Sequence, residues 1–480
     1  MITRTKILIL FVSCLLCVPH PAAADGSLSS HDSAAAPPPD RLAFKALSFT
    51  PPQAKRLVMD NGIVLYFLED HELPLVNISV VFRTGAAYDP DGKAGLAGLT
   101  ARTMRTGGAG TMTGGEIDDA LAFHGISLQI SMEADMGLAH LSALKEDWTK
   151  GFDILSQILA NPAFEEEKLQ LAKDLAIEDL RGIADDPSRY AFREFRKLLY
   201  RGNARGNLAT PASIRAIQRS DLVAFHRRFL YPKNVMITVT GDITRAEAVG
   251  VINRCLGAWR VAGQTEKISR PAGRGDGSVH HIQKDIPQSV IISGRFGPSK
   301  KDSDFYAFTV LDFILGSGGF RSRLFQEIRS NRGLAYSTGS FYRPRDDYGA
   351  FGAYALTKSS STTEVLDLMR ALLLGMKEKG IDENELSWAK KSLTNSFIFS
   401  YQSIDQIAFS QMMLEYDGLP ADFLQTYTVK INKVGPKEIR FAAGCYYDSR
   451  DFVTLVLGNG KGFEKPLPEP VTVIRMEGAE

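Results

Sequence analysis

The feature that most constrains this chain is that its pattern is written twice. Trp148, Phe152, Leu155 and Leu159 form an apolar stripe at helical spacing, and 217 residues later Val365, Met369, Leu372 and Met376 form another. The same offset lays FEEEKLQLAKDL, from Phe164, onto IDENELSWAKKS, so that Leu169, Ala172 and Lys173 meet Leu386, Ala389 and Lys390. It also lays VMITVTGD onto FVTLVLGN, two short apolar runs that stop at Gly241 and Gly458. A register held over so long a stretch implies two copies of one architecture, each of roughly 200 residues. Nearer the start of each half the offset drifts, so loops there differ in length. The halves meet in VAGQTEKISRPAGRGDGSV, residues 261–279, whose glycines and charges read as a linker.

Within the first half, RLVMDNGIVLYFLED gives two strand-like runs around an Asn61-Gly62 turn. VNISVVF alternates Val76, Ile78, Val80 and Phe82, as a strand with one buried face does. A helix over Gly95–Met104 and another near Glu116–Phe123 follow, then an alternating run through Ile126, Leu128, Ile130 and Met132. Long helices are expected from Asp147 to Ala160 and from Glu165 to Ile183, before a last strand. Runs of strands and runs of helices, without strict βαβ alternation, predict α+β domains, each a mixed sheet with helices packed on one face.

The 480 residues are 44% hydrophobic and 23% charged, ordinary for globular domains, and the formal charge of +1 removes any electrostatic case for nucleic acid or an anionic membrane. Arg4 and Lys6 precede the apolar run Ile7 to Val18, and Ala22-Ala23-Ala24 offers a cleavage site, so residues 1–24 are expected to be a secretory signal. Periplasmic localisation follows as an expectation. Residues 25–45 read as a disordered tether. No later stretch is apolar enough to span a bilayer. Past the signal only Cys255 and Cys445 remain, which is no disulfide framework, though one bridge stays open. The domains then fall at 46–260 and 280–465.

Three segments give the chain a specific resemblance: FRTGAAYDPDGKAGLAGL, DDPSRYAFREF at Asp185, and LGSGGFRSRLFQEIRSNRGLAYS in the second half. With the duplication and DLVAFHRRFLYPKNVMITVTGD, they resemble the pitrilysin/insulinase-type (M16) metallopeptidases, in the short two-domain layout of bacterial processing-peptidase-like members. The resemblance covers the chain from about Lys55 to Gly460 and implies two duplicated M16-type domains.

Active members carry H-x-x-E-H on the helix after GLA. Two imidazoles one turn apart hold zinc, the glutamate between activates water, and a second glutamate from a later helix completes the site. Laid on GLAGLTARTM, that pattern puts Gly98 and Arg102 at the histidine positions and Ala101 at the catalytic glutamate, with Glu178 near the third ligand. One carboxylate cannot hold zinc, so no metal is expected in this chain. None of the eight histidines offers a substitute, and the adjacent pair His280-His281 in a strand-like run points to opposite faces. Arg102 could replace the metal by pairing with Glu178, or could point to solvent.

The second half departs less from the family. Active members use an arginine and a tyrosine seven residues apart to hold the substrate backbone and the oxyanion, and Arg329 and Tyr336 have that spacing. Arg332 lies nearby but out of register. Gly316, Gly318 and Gly319 lack the Lys-Ser/Thr of a phosphate cradle and read as a flexible loop between helices. The resemblance therefore implies a subunit that lacks zinc and supplies Arg329 and Tyr336 to a partner chain with an intact H-x-x-E-H, where zinc and an extended peptide would meet. The competing expectation is a non-catalytic peptide-binding or scaffold protein that keeps only the fold.

Overall fold

A computed structural model of the chain describes residues 50–264, 267–271 and 275–476. The expected signal peptide and tether lie outside these residues. In the first half the strands are β1 (Lys55–Val58), β2 (Val64–Glu69), β3 (Leu75–Phe82), β4 (Ser127–Met132), β5 (Gly137–Leu144) and β6 (Val235–Gly241). Its helices begin with α1 (Leu96–Thr106), α2 (Gly114–Phe123), α3 (Trp148–Ala160) and α4 (Glu166–Asp185). They continue with α5 (Pro187–Leu199), α6 (Pro211–Ala216), α7 (Arg219–Phe229) and α8 (Arg245–Leu256). The second half has strands β7 (Val279–Gln283), β8 (Gln288–Gly297), β9 (Ala335–Pro344), β10 (Gly349–Lys358), β11 (Val453–Gly458) and β12 (Val471–Ile474). Helices α9 (Phe305–Asp312), α10 (Thr362–Glu378), α11 (Glu383–Phe397), α12 (Ile404–Asp417), α13 (Phe423–Lys433) and α14 (Pro436–Tyr446) complete it.

Each half builds one six-stranded mixed sheet, in the orders β1-β2-β6-β3-β5-β4 and β12-β7-β11-β8-β10-β9. Five strands of each sheet correspond one to one: β2 runs parallel to β6 as β7 does to β11, and the remaining neighbours among them are antiparallel. The outer strand on one side differs, for β1 is antiparallel to β2 whereas β12 is parallel to β7. The duplication is legible in the helix starts: Glu166 and Glu383, Pro187 and Ile404, and Arg219 and Pro436 all keep the 217-residue offset. The fold is the α+β arrangement that the alternation of patterns predicts.

Alternation decides which face of each sheet meets its own helices. Val76, Ile78, Val80 and Phe82 on β3 join Phe152, Leu155 and Leu159 of α3 in the first core. The second core gathers Ile291 and Val456 with Phe308, Val365, Met369 and Met376. The opposite face of each sheet is covered by a helix from the other half, which sequence periodicity did not indicate. On α5, Tyr190, Ala191 and Phe195 pack on Ile282, Val290, Ile292 and Leu455 of the second sheet. Reciprocally, Met412 of α12 packs on Tyr66, Val81 and Met236 of the first sheet. Local chemistry starts α5 where it must: Asp186 caps it, accepting from Ser188 N at 2.9 Å and Arg189 N at 3.0 Å, and Pro187 opens the first turn.

Polar pairs fix the register of α12 on its foreign sheet. Glu415 accepts from Arg56 Nε and Nη2, at 2.6 and 2.7 Å, and from the Tyr66 hydroxyl at 2.6 Å. Gln411 ties down the entering chain by donating to Pro52 O and accepting from Ala54 N, each at 2.8 Å. The exchange of helices makes residues 50–476 one compact body and leaves β4 and β9 as structurally equivalent outer strands of the two sheets.

Candidate functional site

Helix α1 is built soundly. Gly95 takes a left-handed conformation (φ 104°) just before it, a region that costs any residue with a Cβ. The Asp89 carboxylate closes the helix start by accepting from Gly95 N at 2.7 Å and Ala97 N at 2.8 Å. Burial pushes Asp89 up to about 7, against the pull of those backbone donors. Leu96, Leu99 and Met104 anchor α1 in the core, and it packs beside β4, α4 and α7.

The face that the family pattern would load with ligands is otherwise furnished. Gly98 is exposed, and a Cβ there would meet nothing within 4 Å. Ala101 is buried at 2% exposure. The Arg102 guanidinium lies 3.3 Å from Asp179, not on Glu178. Glu178 is exposed and faces Arg181 at 3.4 Å. The alternative of an Arg102–Glu178 pair is thus corrected, for a helical reason: Asp179 continues the Ala172–Ala176 row of α4, whereas Glu178, one residue earlier, is turned about 100° away. Zinc does not fit this donor set. A permanently charged guanidinium replaces one imidazole, a hydrogen atom replaces the other, and the third-ligand carboxylate points to solvent beside its own arginine.

His280 and His281 sit on β7 with separate tasks. His280 Nε2 is 3.0 Å from Ser278 Oγ, and His281 Nε2 is 3.1 Å from Gly458 O. Among the described residues no three His, Cys, Asp or Glu side chains are grouped to hold a metal. Cys255 and Cys445 are both free, the first donating to Asp153 Oδ1 at 2.9 Å.

Arg329 and Tyr336 are brought together. Arg329 lies in a π-helical turn, Phe325–Ser330, a wide and uncommon form that recurs at functional sites. Gly333, at φ 63°, ends it: Gly333 N donates to Arg329 O at 3.1 Å and Leu334 N to Ile328 O at 2.9 Å. That reversal sends the chain into β9 with Tyr336 beside the arginine. The guanidinium carbon stands 5.9 Å from the Tyr336 ring centre and 4.9 Å from that of Phe325. Tyr336 is 78% exposed, and neither its hydroxyl nor the guanidinium has a hydrogen-bond partner among the described residues. Both are free donors on a shaped surface. Arg332 is exposed on the turn that follows.

The glycine-rich stretch before this turn differs from the flexible loop expected. Phe313–Ser317 is a second π-helical turn, and a Cβ on Gly316 would lie 2.2 Å from Ser340 N, so the glycine permits close packing on β9. Sequence reasoning also passed over Arg323, which anchors the segment through Glu385 at 2.6 and 2.7 Å and Gly380 O at 2.7 Å. It passed over Phe320 as well, 73% exposed and edge-on to Phe325 at 4.9 Å. Neither had a sequence signal beyond its neighbours.

Two like halves, a ligand-bare helix in the first and a paired arginine and tyrosine in the second define a non-catalytic relative of the two-domain metallopeptidases. The family comparison agrees: "Insulinase (Peptidase family M16)" matches residues 66–211, and "Peptidase M16 inactive domain" matches residues 216–393. The chain belongs to peptidase family M16. Over 406 residues it is 26% identical to the "Non-peptidase homolog YmxG" of Helicobacter pylori, covering 83% of this chain and 92% of that one. Over 320 residues it is 26% identical to an "Uncharacterized zinc protease" of Rickettsia bellii, covering 66% of this chain and 75% of the relative. A solved peptidase M16 inactive domain from Pseudomonas fluorescens has the same fold, with a TM-score of 0.79 at 24% identity over 87% of this chain and all of that one (100%).

Proposed function

We propose that this chain is the zinc-less subunit of a two-chain extracytoplasmic peptidase, lending Arg329 and Tyr336 to a partner that carries H-x-x-E-H. The carrying observation is the exposed Arg329 beside Tyr336, one donor on a π-helical turn and one on β9, neither with a hydrogen-bond partner among the described residues. α1 packs on elements of its own half and the π-helical turn packs on β9; in this reading a second chain would complete the site. In the assembled site the guanidinium would donate to a carbonyl of an extended peptide. The phenol would donate to the oxyanion that develops on the scissile carbonyl. The metal and the general base would be the partner's. The peptide would add as a strand to β4 or β9, the outer strands at the equivalent ends of the two sheets. Export to the periplasm rests on the pattern of residues 1–24.

Co-expression with an M16 chain bearing H-x-x-E-H, followed by peptide-cleavage kinetics, tests the proposal. Tyr336→Phe should lower turnover about a hundred- to a thousand-fold, the usual effect of losing one oxyanion donor, with the complex and its zinc content intact. Arg329→Ala should be at least as damaging and should also raise KM. Arg332→Ala should be nearly silent. Equal activity of the wild-type, Tyr336→Phe and Arg329→Ala complexes would leave the fold as a scaffold only.

A further inference from the structure

Helix α5 roofs only part of the second sheet. Beside it, over β9 and β10, lies a cavity of about 620 Å³, within the range of small-molecule sites. Its apolar lining comes from both halves: Phe192, Phe195 and Leu199 on α5 face Phe341, Tyr354 and Leu356 on the sheet. The Phe192 ring stands edge-on to Phe341 at 6.2 Å and to Tyr354 at 5.8 Å, and remains 37% exposed. An aromatic surface left open inside a concavity is a place for an apolar group.

Four guanidinium groups line the same space, three of them without an ion-pair partner among the described residues. Arg343 follows Phe341 by two residues on β9 and so faces the same side, and Arg345 lies just past the end of the strand and lines the same cavity. Neither side chain has a hydrogen-bond or ion-pair partner among the described residues, and both are exposed. Arg196 spends its Nε on Arg205 O at 3.0 Å and leaves its terminal nitrogens to the cavity. Arg205 also reaches the wall but is paired with Asp135 at 2.9 Å. Against these, the lining has a single carboxylate, the exposed Glu133. Three such cations lining one cavity with an aromatic wall favour an anion with an apolar body, and Glu133 disfavours a doubly charged one. A guanidinium fork matches a carboxylate in shape and charge.

We propose that this cavity binds an amphipathic carboxylate, its apolar or aromatic body against Phe192, Phe341 and Tyr354 and its carboxylate on Arg343, Arg345 and Arg196. The site is separate from the Arg329–Tyr336 pair and does not depend on the peptidase reading. Two sources share this chemistry, the C-terminal apolar residue of a peptide and a free fatty acid.

Isothermal titration of the mature chain with N-acetylphenylalanine, N-acetylphenylalanine amide and decanoate tests it. At least one acid should bind saturably, and the amide should bind at least about tenfold more weakly than N-acetylphenylalanine where the latter binds, as expected for loss of a charged hydrogen bond. Preference for N-acetylphenylalanine assigns the peptide terminus, and preference for decanoate assigns the fatty acid. Arg343→Glu with Arg345→Glu should abolish acid binding without changing the melting curve, since neither side chain is tied to the fold. Phe192→Ala should weaken acid and amide alike. The proposal is overturned if neither acid binds, if acid and amide bind equally, or if the charge reversal leaves acid affinity unchanged.

Discussion

Asp312 offers a test of how the second half carries its cost. It is the last residue of α9, immediately before the π-helical turn Phe313–Ser317, and its side chain is buried with Oδ1 unpaired. Burial pushes its carboxyl up to about 6 from 3.8, while the hydroxyls of Ser340 and Ser317 pull the other way. The native state therefore holds a proton between about pH 4 and pH 6 that the unfolded chain has released. Stability falls as pH rises through that window and levels off above it. A shift of about two units corresponds to roughly 3 kcal/mol. Asp312→Asn keeps the shape and removes the charge, so its advantage should be small at pH 4 and should approach about 3 kcal/mol at pH 8, with a midpoint near pH 5. Melting curves of both proteins from pH 4 to pH 8 measure the difference directly. A difference that does not vary with pH, or a variant less stable than the wild type at pH 8, would refute the reasoning.

Three further substitutions probe packing. Phe195→Ala removes a ring 3% exposed between α5 and the second sheet, and should cost about 3–5 kcal/mol by denaturant titration. A loss below about 1 kcal/mol would mean the exchanged helix does not hold the halves together. Gly98→Ala places a methyl group in open space on a helix, so it should stabilise by up to about 1 kcal/mol, and destabilisation would show that α1 is in tighter surroundings. Gly316→Ala forces a Cβ to 2.2 Å from Ser340 N, so it should lower the melting temperature and disturb the β9 amides in hydrogen exchange; an unchanged protein would contradict the close packing.

Much of this protein is legible in one dimension because its chemistry is local or periodic. The helical stripes at Trp148 and Val365, the alternation of Val76 to Phe82 and the constant offset between halves name two copies of one fold, since periods of 3.6 and 2 are properties of consecutive residues. The bareness of Gly98, Ala101 and Arg102 is likewise plain from residue type, because no folding can give a glycine an imidazole. What folding decided is which side chains meet. Arg102 turned to Asp179 and not Glu178 because one residue on a helix is a 100° rotation, a matter of how α4 rests on α1. The unpaired state of Arg329 and Tyr336, their juxtaposition on a π-helical turn and β9, and the cavity between α5 and β9 arise from the same source. Helices α5 and α12 each cover the other half's sheet, and contacts between residues hundreds of positions apart are set by the shapes of two finished surfaces, which no local pattern records.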